Sequence, residues 1–261
     1  QLYGSNGESL EKAAAITEVY APDFIDINCG CWVKKVAGRG DGAGLLRDLG
    51  KFEMVVQSVM KGTKLPVTVK TRLGWDDESI VIEDVARMLV DNGVQMLTVH
   101  CRTRKQGYTG QADWSWLPKI KSVAPDLPLI ANGDIVTPED VKSVLDMGCD
   151  GAMIGRGAIS NPWIFDQTHH FLKTGEHLPK PTEEDRIELC IRHLKEHVEK
   201  RSAQSGEQRG VTSFRKFYIH YLHDMRDSKR MRVHLMQYSE VAPIEADLRD
   251  YMQQLSEHVP A

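Results

Sequence analysis

The sequence has no apolar run of membrane-spanning length, and no signal-peptide pattern is present. Its five cysteines include no Cys-x-x-Cys pair of the kind that holds zinc. An odd number of such cysteines is typical of reduced thiols, so we expect a cytoplasmic protein without a bound metal. The glycine-rich segment at residues 36–44 also lacks the Gly-Lys-Ser or Gly-Lys-Thr ending of a P-loop.

The overall composition is that of an ordinary globular protein. Hydrophobic residues make up 41% of the chain and charged residues 27%, and the net charge is −4. A length of 261 residues suits one α/β barrel, or one domain with an appendage. We expect a monomer with no membrane partner.

Short apolar strands alternate with segments of helical periodicity as far as residue 154, which predicts a parallel β/α architecture. The predicted strands are residues 24–28, 67–71, 96–100, 129–132 and 151–154, with a strand stub at residues 1–3. The predicted helices lie near residues 8–20, 49–61, 79–92, 116–123 and 137–147. The last helix has a marked start, because Thr137 supplies a capping hydroxyl and Pro138 follows in the first turn.

Polar residues or glycines follow each predicted strand. In a barrel, the carboxyl ends of the strands meet at one rim, where the functional residues lie. A lysine that ends a buried strand, such as Lys70, is difficult to explain as structure alone. For two other residues at this rim, a purely structural interpretation is the alternative to a functional one. Arg72 is then a loop cation in solvent, and His100 is a neutral imidazole that packs against a backbone carbonyl.

The loops after the last two strands are Asn132-Gly133-Asp134 and Gly155-Arg156-Gly157. Glycines let backbone N–H groups approach a phosphate, and barrels often build a phosphate site from these two loops. The pair therefore predicts a phosphate ligand. Phosphosugar enzymes use the same arrangement, so the identity of the ligand stays open.

A candidate nucleophile or acid follows the first full strand, where Asn28 and Cys31 lie three residues apart. A thiol beside glycine and ahead of two lysines is predicted to be partly exposed in a positive field. The alternative is a buried small hydrophobe, the usual state of a free cysteine. We interpret the glycine loop at residues 36–44 as a mobile lid. The cations of this region are Lys34, Lys35 and Arg39.

The alternation ends near residue 175, which predicts one domain at residues 1–174 and a second at 175–261. Helices without strands are predicted near residues 183–201, 211–224 and 244–258. Residues 186–234 contain 12 Lys or Arg against 6 Asp or Glu. This basic helical region, with Arg215 and Lys216 among aromatic residues, suits an RNA backbone. The alternative is a solvated bundle whose Phe and Tyr residues fill its own core.

Several of these segments together resemble the tRNA-dihydrouridine synthases, in particular the bacterial B-type members. The segment Asn28-Cys29-Gly30-Cys31-Trp32 is similar to the family's Asn-x-Gly-Cys-Pro active-site segment, with Trp32 in place of the usual proline. Gly110-Gln111-Ala112-Asp113-Trp114 agrees with the same family. The resemblance implies a TIM-type (β/α)8 barrel followed by an all-α tRNA-recognition domain. By the same comparison we expect the first two strands, most of the third and a flavin-binding segment to lie upstream of Gln1.

The resemblance also implies a reaction, the reduction of the C5–C6 double bond of a tRNA uridine, in the D-loop, to 5,6-dihydrouridine. Reduced FMN would supply hydride to C6, NADPH or NADH would reduce the flavin, and Cys31 would donate a proton to C5. The expected FMN-binding residues are Gln1, Lys70, His100, Asn132, Gly133, Asp134, Gly155 and Arg156. The expected uridine and tRNA contacts are Asn28, Arg72, Arg102, Lys34, Lys35, Arg39, Arg215 and Lys216.

Two other interpretations stay open. A different barrel enzyme, such as another flavin reductase or a phosphosugar isomerase, accounts for the phosphate loops but not for the Asn-x-x-Cys segment or the basic tail. A non-catalytic RNA-binding protein is suggested by Trp32 and by the incomplete set of barrel strands. Bound flavin argues against the isomerase, and RNA binding without flavin favours the non-catalytic protein.

Overall fold

The computed structural model describes residues 1–257, without the side chains of residues 203–205. The chain divides into two compact units, Gln1–Ala158 and Ile159–Ala261. The predicted boundary after residue 174 lies C-terminal to this division, at the end of a helix, Ile164–Thr174, that belongs to the second unit.

The first unit is built on a five-stranded parallel sheet whose strand order follows the chain. Its strands are β1 (Ile25–Asn28), β2 (Val67–Arg72), β3 (Met96–His100), β4 (Leu129–Asn132) and β5 (Gly151–Met153). The predicted stub is a single parallel bridge between Leu2 and Ile27. A parallel sheet with sequential strand order is typical of a β/α barrel, since a doubly wound sheet reverses its order at a switch point. The predicted strands and the barrel-type architecture are confirmed.

Helices and one 3-10 helix connect these strands. They are α1 (Gly7–Glu18), α2 (Lys34–Ala37), the 3-10 helix Gly42–Arg47, α3 (Leu49–Gly62), α4 (Ile82–Asp91), α5 (Trp116–Val123), α6 (Pro138–Asp146) and, at the division between units, α7 (Arg156–Ser160). The predicted start of α6 is confirmed by a capping box between Thr137 and Asp140. The helix predicted from residue 79 begins only at Ile82, because Ile80 pairs with Gly74 and the Val81 N–H bonds to the Leu73 carbonyl.

The glycine loop after Cys31 corrects the expectation of a mobile lid. Residues 42–46 form most of a 3-10 helix and are buried. A side chain on Gly44 would lie 2.5 Å from the Ala37 carbonyl oxygen, and one on Gly42 would lie 2.9 Å from Cβ of Cys31. These glycines therefore allow close packing around the Cys31 loop.

Within residues 159–257, the second unit contains helices and no strands. Its helices are α8 (Ile164–Thr174), α9 (Glu183–Ser205), α10 (Glu207–Phe214), the 3-10 helix Arg215–Phe217, α11 (Tyr218–Tyr221), α12 (Ser228–Leu235) and α13 (Val241–Ser256). The helix predicted over 211–224 is thus three shorter elements, and residue 258 of the last predicted helix lies outside the described residues. Across residues 1–257, no helix combines the length and apolar character that a membrane span requires.

The core of the second unit contains most of the aromatic residues that lie among its cations. Phe214, Tyr218 and Tyr221 are buried together with Ile187 and Leu194 of α9. For these aromatics, the alternative of a helical bundle with a Phe and Tyr core is confirmed. These rings are therefore part of the core of the unit and are not exposed on its surface.

We predict that Gly62→Ala destabilises the first unit. The added Cβ would press directly against the Glu11 backbone carbonyl, where α1 packs on α3, and overpacking of this kind costs about 1–3 kcal/mol. Gly50→Ala, in the same helix, is the matched control, because its nearest neighbour is the Asp48 carboxylate at 3.6 Å. Urea unfolding should show a lower midpoint for Gly62→Ala only. Equal midpoints for the two variants would contradict this packing.

Candidate functional site

Strand register brings the predicted rim residues together. Asn28 pairs with Lys70, Arg72 pairs with His100, and His100 pairs with Asn132 across β1 to β4. A cleft of about 580 Å³ opens at these strand ends. The predicted residues that line it are Gln1, Asn28, Cys31, Lys70, Arg72, His100, Asn132, Gly133, Asp134, Gly155 and Arg156.

Asn28 holds the loop that carries Cys31. Its Oδ1 accepts the backbone N–H groups of Gly30 at 3.1 Å and Cys31 at 3.0 Å. Its Nδ2 donates to Oε1 of Gln1 at 3.1 Å, and Gln1 donates in turn to Asp26 at 2.5 Å. Both ends of the Asn28 amide are thus occupied by the protein, which fixes the position of the thiol.

The two neighbouring cysteines differ in environment. Cys31 is partly exposed and lines the cleft, as predicted. Cys29 is fully buried in the core, and burial raises its pKa well above the usual range. Of these two thiols, only that of Cys31 belongs to a residue that lines the cleft.

Arg72 is a buried brace, and the alternative of a cation in solvent is wrong. Its side chain is 2% exposed. Its Nε donates to the Gly30 carbonyl at 3.1 Å, and one terminal nitrogen donates to the carbonyls of Thr103 and Gly107, both at 2.9 Å. Burial lowers the pKa of Arg72 to about 10. The guanidinium therefore ties the Cys31 loop to the loop that follows β3.

Lys70 and Asn132 form a polar pair in the cleft. Nζ of Lys70 donates to Oδ1 of Asn132 at 3.0 Å, and Nδ2 of Asn132 donates to the Met153 carbonyl at 2.8 Å. Burial and the nearby charge of Arg72 lower the pKa of Lys70. An ammonium carries three N–H donors, so this pair can also donate to an acceptor on a ligand.

His100 is a neutral imidazole. Burial, followed by the charges of Arg72, Lys70 and Arg102, lowers its pKa to about 3. A terminal nitrogen of Arg102 lies 3.3 Å from Nε2 of His100. Because a guanidinium can only donate, Nε2 accepts this bond and Nδ1 carries the proton. The neutral state agrees with the simple alternative above, but the partner is an arginine rather than a backbone carbonyl.

Arg102, predicted to contact the substrate, is 2% exposed and lies behind the residues that line the cleft. It donates to the Asp134 carboxylate at 2.5 Å and to the carbonyls of Thr109 and Gly110. The other oxygen of Asp134 accepts from Arg156 at 3.2 Å. Burial alone raises the pKa of Asp134, but the bonds from Arg102 and the Ala112 N–H outweigh it and lower that pKa.

The two predicted phosphate loops differ in the space around their glycines. Gly133 has a φ of +106°, and a side chain there would lie 2.9 Å from the His100 ring. A side chain on Gly155 would meet nothing within 4 Å. The open backbone at Gly155, beside the exposed Arg156 cation, can therefore be approached closely by an anion.

Three further predicted residues of the first unit, Lys34, Lys35 and Arg39, do not line the cleft. Lys34, Lys35 and Arg39 are exposed around α2. Arg215 donates to the Tyr238 carbonyl at 3.1 Å within the second unit, whereas Lys216 is exposed beside Phe217. Sequence reasoning missed Tyr108, an exposed aromatic of the cleft; its only local signal is its place between Gly107 and Gly110. In residues 1–257, no group of three or more His, Cys, Asp or Glu side chains could hold a metal ion.

We predict that His100 makes stability depend on pH in the acid range. Its folded pKa of about 3 lies below the ordinary value of about 6.5, so the unfolded state binds the proton first. This contribution to stability is complete above about pH 6.5 and is lost as the pH falls toward about 3. The unfolding free energy of His100→Asn should change less steeply in this window. His169→Asn, at an exposed position, should keep the wild-type slope, and an unchanged slope for His100→Asn would refute the assignment.

Comparison with known proteins agrees with this geometry. A family model for dihydrouridine synthase (Dus) matches residues 1–257. A probable tRNA-dihydrouridine synthase of Rickettsia bellii (strain RML369-C) is 38% identical over 233 residues, which cover 89% of this chain and 70% of that protein. The tRNA-dihydrouridine synthase B of Xanthomonas axonopodis pv. citri (strain 306) is 36% identical over 262 residues, which cover 100% of this chain and 77% of that protein.

Among solved structures, ligand-free DHODH from Eimeria tenella superposes with a TM-score of 0.50 at 14% identity. The match covers 66% of this chain and 57% of that one, and it supports the fold alone. The tRNA-dihydrouridine synthase B of Pseudomonas putida (strain KT2440) is 38% identical over 89% of this chain and 68% of that protein, in agreement with the expected B-type resemblance. The chain therefore belongs to the dihydrouridine synthase (Dus) family.

Proposed function

We propose that this chain is an FMN-dependent tRNA-dihydrouridine synthase that reduces the C5–C6 double bond of a D-loop uridine. The observation that carries the proposal is one cleft in which a partly exposed thiol, a lysine–asparagine pair and an open glycine backbone all meet. Relatives at 36–38% identity that bear this activity in their names support it. The enzyme acts as a monomer in the cytoplasm.

The residues present in the cleft fit FMN. Gly155 leaves room for a phosphate beside Arg156, and the Lys70–Asn132 pair offers donors to the polar edge of a flavin ring. His100, which is neutral, also lines the cleft. Gln1, Gly133 and Asp134 also line the cleft. When bound and reduced by NADPH or NADH, FMN supplies the hydride for C6 of the uracil ring.

Cys31 donates the proton that C5 requires. Asn28 holds the Cys31 backbone and Arg72 holds the preceding Gly30 carbonyl, so both act on the reaction through the position of Sγ. The thiol loses a proton to carbon and regains one from water, which restores the resting state. Asn28 and Arg72 therefore serve here as positioning residues rather than as the direct substrate contacts first expected.

The second unit binds the tRNA backbone through its exposed cations. Lys216, Arg226 and Arg230 are exposed, and each can neutralise a phosphate and release a counterion. The Arg215 guanidinium donates a hydrogen bond to the Tyr238 carbonyl, so this residue has a structural role within the second unit. Lys34, Lys35 and Arg39 add exposed positive charge on the first unit.

We predict that Cys31→Ala lowers the rate of dihydrouridine formation by about 10²–10⁴-fold, the usual contribution of a general acid. Flavin content should not change. Cys29→Ala is the control, because the buried Cys29 thiol does not face the cleft. Mass spectrometry of a tRNA transcript after reaction measures the product, and flavin absorbance measures the cofactor. Full activity in Cys31→Ala would remove the thiol from the mechanism.

We predict that Lys216→Ala makes the salt dependence of tRNA affinity shallower by about one in the slope of log K against log salt. Flavin reduction by NADPH should be unchanged. Lys12→Ala, which removes an equally exposed lysine from α1, should leave the slope as it is. A slower flavin reduction with unaltered tRNA affinity in Lys216→Ala would show that this surface serves the first unit instead.

A further inference from the structure

We infer that Trp32, Tyr108 and Arg156 form a stacking ledge in the cleft for the nucleobase that adjoins the target uridine. This inference rests on the proposed function, and it assigns a role to Trp32, the residue that departs from the family's motif. The three residues all line the cleft; Trp32 and Tyr108 lie in loops, and Arg156 is the first residue of α7.

The ledge is a continuous row of flat groups. The rings of Trp32 and Tyr108 meet edge to face, with centroids 5.4 Å apart and planes at 76°. The Arg156 guanidinium lies over the Tyr108 ring at 4.7 Å from its centroid. Asp134 holds Arg156 at 3.2 Å and so fixes the guanidinium end of the row.

The backbone is shaped to hold the indole of Trp32. Gly107 has a φ of +59°, and a side chain there would lie 3.0 Å from the six-membered ring of Trp32. The Gly107 carbonyl accepts from buried Arg72, and buried Arg102 holds the carbonyls of Thr109 and Gly110. Two buried arginines thus clamp the loop that carries Tyr108 against Trp32.

The ledge remains exposed although its members are large and flat. Trp32 is 37% exposed, Tyr108 is 51% exposed, and neither belongs to the buried core of the first unit. Partly exposed aromatic rings and guanidinium groups in a cleft are the groups on which unpaired bases of RNA stack. The nearby cations suit the phosphates on either side of such a base.

The chain position of Trp32 indicates which base it receives. Trp32 directly follows Cys31, whose thiol must face C5 of the target uracil. The target ring therefore occupies the part of the cleft next to Cys31, and the ledge is left for an adjacent base. A base is extruded more readily when its neighbour has a surface on which to restack.

The first test compares Trp32→Phe with Trp32→Leu in dihydrouridine formation on a tRNA transcript. Trp32→Phe keeps an aromatic face and should stay within about threefold of wild type, whereas Trp32→Leu should raise KM for tRNA by about 5- to 100-fold with a smaller change in kcat. A transcript that lacks the base next to the target should show the same loss with wild type, and no further loss with Trp32→Leu. The inference would be overturned if the losses caused by Trp32→Leu and by removal of the neighbouring base were additive, or if both variants had the wild-type KM.

The second test does not depend on catalysis, so it separates the ledge from the proposed function. The fluorescence of the full chain is followed as single-stranded oligouridylate is added. Wild type should be quenched, Trp32→Phe should bind with similar affinity but lose most of the quench, and Trp116→Phe, at a position packed on the core, should keep it. If FMN quenches the fluorescence of Trp32 and the oligonucleotide does not, the three residues contact the flavin instead of a base, and the inference is refuted. Binding without dihydrouridine formation would instead refute the proposed function.

Discussion

The candidate site depends on two guanidinium groups that are buried and must find acceptors inside the protein. A buried charge without hydrogen-bond partners costs far more free energy than the fold can spare. Arg72 therefore donates hydrogen bonds to the carbonyls of Gly30, Thr103 and Gly107. Arg102 donates to the Asp134 carboxylate. These bonds join the loops after β1, β3 and β4 into one rigid rim.

The same charges set the electrostatic character of the cleft. Lys70 and Arg156 add to the two buried arginines, and Asp134 offsets part of their charge. Under this field His100 stays neutral, so its Nε2 accepts from Arg102 and the ring adds no further positive charge. A cleft of this kind suits an anionic, planar ligand such as a flavin phosphate, together with an RNA strand that brings its own phosphates.

Much of this arrangement could be predicted from the sequence, because it follows from periodicity and from strand ends. The alternation of strands and helices placed Asn28, Lys70, His100 and Asn132 at one rim, where the structure has them. The hydrogen bonds of Arg72 and Arg102 could not be predicted, because four of their acceptors are carbonyls of the loop at residues 103–110 and no local pattern specifies the path of that loop. Tyr108 was missed for the same reason, as its neighbours Trp32 and Arg156 are distant in the chain.

The central claim is that one cleft combines a flavin with the Cys31 thiol to reduce uridine in RNA. The most direct measurement is mass spectrometry of a defined tRNA transcript after incubation with the full chain, FMN and NADPH. The account predicts that one D-loop uridine gains two hydrogens and that the protein carries flavin absorbance. A chain that binds the transcript but holds no flavin and leaves every uridine unreduced would contradict it.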